Sequence, residues 1–219
     1  GFRGHCALAH VRPEGGIAFT SFIYPASIPG HTFAATEAGL VQAVNNIRSR
    51  GVGIGLPRMV LGRALFDCRT LDDAVHLLKT AERAGAFHMT LAWKGDPRLL
   101  GIEFTHTNCS VVSIDRPQCH ANHLVHPDMA GERQVITGSS GSRQERGDAL
   151  MVGNPPDPLD VLKAVAPLPI YRVQPDDPDH ENTLATAVFH VGANSVEWHV
   201  YDRAGEMPRF TMNGALTPG

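Results

Sequence analysis

Cysteine is scarce in this chain, and the little there is forms no pattern. Cys6, Cys68, Cys109 and Cys119 are the whole set. No two of them stand in C-x-x-C spacing, so no thiol redox motif or paired-cysteine zinc site is spelled out, and they form no dense disulfide framework. Free thiols in a reducing cytoplasm are the expectation. Long apolar runs are also missing: nothing approaches the roughly 20 residues that cross a bilayer. Gly1-Phe2-Arg3-Gly4-His5 does not lead into the apolar core of a signal peptide. Charge of one sign is missing too. The formal net charge of -3 gives no electrostatic case for nucleic acid or for an anionic membrane. There is no G-x-S-x-G elbow, and Gly51-Val52-Gly53-Ile54-Gly55 lacks the Lys-Ser/Thr that would make it a phosphate loop. No internal repeat is present.

What remains is the composition of a globular protein, 42% hydrophobic and 19% charged. Its 219 residues suffice for one large domain or two small ones. The 22 glycines and 16 prolines suit many short strands joined by turns. Alternating apolar positions predict strands over His5–Val11, Ile17–Ile23, His31–Ala35 and Leu40–Ile47. Pro57 suits a first helical position, and Arg58–Asp67 reads as helix. Thr70-Leu71-Asp72-Asp73 resembles a capping box, followed by an apolar stripe at Leu71, Ala74, Val75, Leu78 and Ala81. The pair Asp72 and Asp73 belongs to that helix start, where acids suit the dipole. Strands return at Phe87–Trp93, Leu99–Phe104 and Cys109–Ile114. Helices are expected from Ser139 to Val152 and from Leu159 to Val165, then a surface loop over Pro167–Asp179. A last meander follows over Thr183–Val191, Ser195–Tyr201 and Arg209–Met212, with turns at Asn194-Ser195 and Ala204-Gly205. This order predicts an α+β fold of stacked antiparallel sheets with helices on their outer faces.

The chemistry concentrates in Gln118-Cys119-His120-Ala121-Asn122-His123-Leu124, just past a predicted strand end. An amide between two imidazoles offers N–H donors at one spot, which is what an acyl-transfer transition state needs for its developing oxyanion. Three readings compete here: a solvated polar loop, a metal site built on Cys119, His120, His123 and His126, and an oxyanion hole. Spacing by three residues on a strand or loop does not bring three imidazoles to one face, and Cys/His pair spacing is lacking; no metal is assigned. Asn45 and Asn46 close a predicted strand, where Asn is depleted. They are either a turn-forming pair or amides held at a strand end to meet a ligand.

Taken in order, Thr36-Glu37-Ala38-Gly39-Leu40 with Asn45, Leu56-Pro57-Arg58, Leu100-Gly101-Ile102-Glu103-Phe104, His120-Ala121-Asn122-His123 and Asn182-Thr183-Leu184 resemble the peptidase C45 family. These are N-terminal-nucleophile enzymes similar to acyl-coenzyme A:6-aminopenicillanic-acid acyltransferase, and the likeness runs from about Leu8 to the last strands. The resemblance implies an αββα sandwich and one such domain over residues 1–219. It implies hydrolysis or transfer of acyl groups at amide or thioester bonds, after an autoproteolysis that exposes a cysteine whose own α-amine is the base. No cofactor is called for. Asn122 falls on the family's His-Thr-Asn-His motif, whose Asn donates to the oxyanion; Ala121 replaces the Thr. Asn45 falls on the Asn that lines the pocket, His120 and His123 support the motif, Thr36 stands where many members have Asn, and Ser142 with Arg143 matches a loosely kept helix start.

The front of the sequence departs from the pattern. The family's nucleophilic Cys and an Asn-x-Asp element lie on a hairpin before Leu8, and Gly1 stands first here. The resemblance therefore implies that this domain lacks its first hairpin and that an N-terminal segment of the same protein supplies the thiolate. Cys6 is the candidate nucleophile within the chain, although it already sits in the following strand; the competing role is that of a small buried strand residue. The expected partners are a small acyl-amide or acyl-coenzyme A substrate, that N-terminal segment, and a second copy of the chain in a homo-oligomer. Two other readings stand beside the acylase: a non-catalytic, truncated or degenerate relative acting in binding or assembly, and a metal-dependent hydrolase.

Overall fold

Seven strands that follow one another in the chain also lie side by side. In the computed structural model, which describes residues 2, 4–153, 156–162, 170–172, 182–202 and 207–215, β1 (Ala7–Val11), β2 (Phe19–Ile23), β3 (Ala34–Thr36), β4 (Leu40–Asn46), β5 (Phe87–Trp93), β6 (Leu99–Phe104) and β7 (Cys109–Ser113) form one antiparallel sheet in chain order. Such a meander needs tight turns. Gly39 makes one with φ +107°, and a Cβ there would stand 2.7 Å from the Cβ of Lys94, so glycine is required twice over. A second sheet holds β8 (Thr186–Val191), β9 (Val196–Tyr201) and β10 (Phe210–Asn213), in the order β10-β9-β8.

Strand alternation sends the two sides of the large sheet to different partners. On one side Phe19, Leu40, Phe87, Met89, Leu91, Ile102 and Phe104 meet α1 (Arg58–Ala64), the 3₁₀ turn Leu65–Asp67 and α2 (Leu71–Thr80). Leu61, Leu65, Phe66, Leu71, Ala74 and Leu78 are the helical half of this layer, each buried. Burying a side chain of this size contributes about 1.5–3 kcal/mol. On the other side Ala35, Val41 and Ala92 meet Val196, Trp198, Val200 and Met212 of the small sheet. Trp198 is fully buried, stacks on Phe189 and donates from Nε1 to the Gly214 carbonyl (2.8 Å). α4 (Pro158–Leu162) lies against β8. The layers are therefore helix, sheet, sheet, helix, as expected.

Local chemistry sets the boundaries. Thr70 Oγ1 accepts from the Asp73 N–H (3.0 Å) and starts α2, while Asp73 Oδ2 reaches back to the N–H of Arg69, one residue before the cap. Arg83 ends the same helix. Its buried guanidinium donates to the carbonyls of Leu78 (2.7 Å) and Ala81 (3.1 Å), and its Nε to that of Thr105 (2.9 Å), satisfying acceptors that a helix end leaves orphaned. Pro57 is the N-cap of α1 rather than its first residue, and the predicted helix to Asp67 ends as a 3₁₀ turn. α3 (Gly138–Leu150) starts one residue before the expected Ser139, because Thr137 caps it through the Ser140 N–H. β3 begins three residues later than expected: Gln42 Nε2 donates to the carbonyls of Gly30 and Thr32, which removes that stretch from the ladder. The last meander starts at Thr186 rather than Thr183. The end of the helix expected to reach Val165, most of the Pro167–Asp179 loop and the turn at Ala204-Gly205 lie outside the described residues. Among the described residues no helix is long and apolar enough to cross a membrane.

Candidate active site

The strand register builds a polar row on an otherwise apolar sheet. Asn45 pairs with His88, His88 with Glu103, and Glu103 with Ser110. All four sit on the face away from α1 and α2, because the flanking Phe87, Met89, Ile102 and Phe104 take the helix side. The segment 118–126 folds over this row. Glu103, fully buried, collects three donors: Oε1 accepts from His120 Nε2 (2.7 Å) and the Val125 N–H (2.6 Å), and Oε2 from the His126 N–H (3.1 Å). Burial works to raise its pKa, but the His120 and Val125 hydrogen bonds and the neighbouring imidazole charges hold it below the usual carboxylate range.

His120 stacks face to face on His88, centroids 3.4 Å apart and planes 4° off parallel. His88 Nδ1 lies 2.8 Å from Asn45 Oδ1. Burial, then the charges of His120 and His126, push the His88 pKa well below that of a free imidazole. His126 stands edge-on to both rings and meets Ser110 Oγ through Nδ1 (3.1 Å). Burial lowers its pKa as well, partly opposed by Glu103. Gly101, on the neighbouring position of β6, leaves room for it: a Cβ there would lie 3.4 Å from His126 Nε2.

α3 holds the other side of the loop with one helix face. Ser140, Arg143, Gln144 and Gly147 recur at the spacing that puts residues on one side of a helix. Ser140 Oγ accepts from the Asn122 N–H (2.9 Å) and meets His123 Nδ1 (2.8 Å). Gln144 brackets the chain by accepting from the Ala121 N–H (2.8 Å) and donating to the Cys119 carbonyl (3.0 Å). Cys119 packs where a Gly147 side chain would be, 2.6 Å from the site of its Cβ. Arg143 Nη2 donates to Asn122 Oδ1 (2.9 Å), and Asn122 Nδ2 donates to the Asn46 carbonyl (3.0 Å). The half-buried Asn122 amide is thus fixed at both ends, one residue from Asn45.

Of the residues singled out from sequence, Asn122, Asn45, His120 and His123 are gathered around segment 118–126. His123 faces α3, with Nδ1 2.8 Å from Ser140 Oγ. Ser142 bonds the Ser139 carbonyl, whereas Arg143 reaches Asn122. Cys6 lies elsewhere. Its Sγ points at the Phe2 carbonyl (3.4 Å), and it lines a cavity of about 920 Å³ with Leu8, Phe22, Tyr201 and Arg209. That cavity shares no lining residue with the one of about 450 Å³ beside Asn45, His88 and Cys119, or with the one of about 210 Å³ beside Asn122, Arg143 and Arg172. Burial raises the Cys6 thiol pKa, and burial together with Asp148 raises that of Cys119, so neither environment favours a thiolate. Among the described residues no group of three or more His, Cys, Asp or Glu side chains is arranged to hold a metal ion.

Sequence reasoning missed His88, Ser110, Ser140 and Gln144, and it quoted Glu103 only as part of a motif. The polar residues at alternate positions of apolar strands were visible, but which of them become neighbours depends on register.

Residues 3–203 match the family described as acyl-coenzyme A:6-aminopenicillanic acid acyl-transferase. The fold is similar to that of a variant of conjugated bile acid hydrolase from Clostridium perfringens, with a TM-score of 0.51 at 12% identity over 93% of this chain and 82% of that one. Penicillin V acylase from Agrobacterium tumefaciens is also similar, with a TM-score of 0.46 at 15% identity over 93% of this chain and 68% of that one. No curated protein matches the sequence.

Proposed function

The chain belongs to the acyl-coenzyme A:6-aminopenicillanic acid acyl-transferase family, a family of amide hydrolases and acyltransferases of the N-terminal-nucleophile type, and from that premise we propose that Asn122 is its oxyanion donor. The observation that carries this is the clamp on its amide. Arg143 holds Oδ1, which fixes the orientation of the NH₂ group and polarises it toward donation. The Asn46 carbonyl takes one of the two N–H bonds, leaving the other for a developing negative charge. A donor fixed in advance costs no reorganisation when the charge appears. Asn45 supports the pocket from the next strand position.

The nucleophile in this reading is the thiolate of a cysteine exposed by autoproteolysis and carried by an N-terminal segment of the same protein. Its own amine acts as base, so no His–Asp pair is needed. Among the described residues β1 has a strand neighbour on one side only, and its other side is where a preceding hairpin would add. The thiolate attacks the acyl carbon, the amine or thiol leaves with a proton returned by the α-amine, and water or a second amine takes the acyl group. The whole chain acts as one domain on a small acyl-amide or acyl-coenzyme A substrate. Its four unpaired thiols suit the reducing cytoplasm.

The test is to express the complete reading frame and search by mass spectrometry for a self-cleaved chain that begins with Cys. Such a chain with acylase activity is the expected result. An uncleaved, inactive product removes the proposal and leaves a binding or assembly role.

A further inference from the structure

The acyl-transfer chemistry uses the two amides and leaves a buried cluster of Glu103, His120 and His88 without a task. We infer that these three are positioning residues for Asn45 and for the loop that carries Asn122, an inference that rests on the proposed acylase reading. The argument starts from hydrogen-bond direction. A carbonyl oxygen only accepts, so His120 Nδ1, 2.9 Å from the Ala121 oxygen, is a donor. Its Nε2 faces Glu103, whose two oxygens already accept from backbone N–H groups. That environment favours the carboxylate, and both His120 nitrogens face acceptors.

His88 is buried beneath that ring, 3.4 Å away and face to face, where water cannot solvate a charge on it. His88 therefore stays neutral, with a single N–H. Directed from Nδ1 to Asn45 Oδ1, that N–H fixes the Asn45 amide with its oxygen inward. The NH₂ then turns into the cavity shared by Asn45, His88, Thr90 and Cys119, as a donor pair for a substrate oxygen. Glu103 does the same for the loop, since the three groups it binds span His120 to His126 on either side of Asn122. One carboxylate thus sets both amides, one through the stacked rings and one through the backbone.

The experiment uses the full-length, self-processed protein. His88→Phe keeps the ring stack and removes the donor; His88→Asn restores a donor. His88→Phe is expected to lower kcat on the order of 10- to 100-fold, the scale of a small misplacement, with KM within about twofold, and His88→Asn is expected to recover most of it. Glu103→Gln is expected to speed hydrogen exchange at the Val125 and His126 amides at least about tenfold while β5 and β6 amides keep their rates. ¹⁵N-histidine spectra of the wild type at pH 7 are expected to show His88 protonated at Nδ1. Wild-type kcat in a folded His88→Phe variant, unchanged exchange in Glu103→Gln, or a proton on His88 Nε2 overturns the inference. If the wild type has no acylase activity, the functional proposal falls by itself, and the exchange and tautomer measurements still decide whether Glu103 and His88 hold these groups.

Discussion

The two sides of the seven-stranded sheet are made by the same strands and obey different physics. Along β5, Phe87, Met89 and Leu91 enter the helix-facing layer, while His88 and Thr90 face the other way. The helix-facing side is held by apolar burial, which has no direction and tolerates a neighbour of similar size. The polar row is held by partners that each have one correct position. Glu103 without His120 would leave a buried group short of a partner, at a cost of about 1–3 kcal/mol. The comparison teaches that a mutation on the apolar face should lower stability with little effect on kcat, whereas one in the polar row should lower kcat more than it lowers stability.

The largest expected break falls on the apolar side. Phe66→Ala empties a position packed against Phe19 (centroids 4.6 Å) and should cost about 3–5 kcal/mol in urea unfolding. Acylase activity per folded molecule should survive. Asn122→Ala is the mirror experiment: kcat should drop about 10²- to 10³-fold, about 2.7–4 kcal/mol in barrier, with a much smaller shift in the unfolding midpoint. If both substitutions moved both readouts together, the division between the faces would be wrong.

Acid sharpens the same contrast. His88, surrounded by His120, His126 and Glu103, has a folded pKa well below its unfolded value near 6.5. Below about pH 6.5 the unfolded chain binds a proton that the folded chain refuses, so stability falls as pH falls. The slope approaches about 1.4 kcal/mol per pH unit for one such group. His123 and His126, shifted the same way, add to it. Glu103, with its folded pKa lowered, contributes stability that is present above about pH 4.5 and is lost as pH falls through the folded value. Urea midpoints at pH 7.5 and 5.5 should show the decline, and His88→Phe should remove one proton's share of the slope. A decline unchanged in that variant would mean His88 is not the group responsible. The smallest effect belongs to the helix-facing side: Thr70→Ala removes the cap of α2 and should cost about 1 kcal/mol in the same unfolding assay, with kcat unaffected.

Much of this was legible in the residues. Alternation located each strand to within a few positions, and Thr70 marked the start of α2. Asn122 and Asn45 were found because a motif and an out-of-place amide pair pointed to them. Arg143 was only half visible, since nothing local says that the helix face it shares with Ser140 and Gln144 meets residues 119–123. The late start of β3 was hidden for a similar reason: Gln42, ten residues away from Thr32, takes the carbonyl that the ladder would need.

By itself the sequence determined the kinds of element and their order, because periodicity, capping and turn preferences act over a few residues, and its near-balanced charge and scarce cysteine narrow the chemistry. Only the tertiary structure decided which polar side chains become partners. His88, Glu103 and Ser110 come from three strands and His120 from the loop beyond. Their meeting is set by sheet register, where a slip of one residue would turn each side chain to the opposite face.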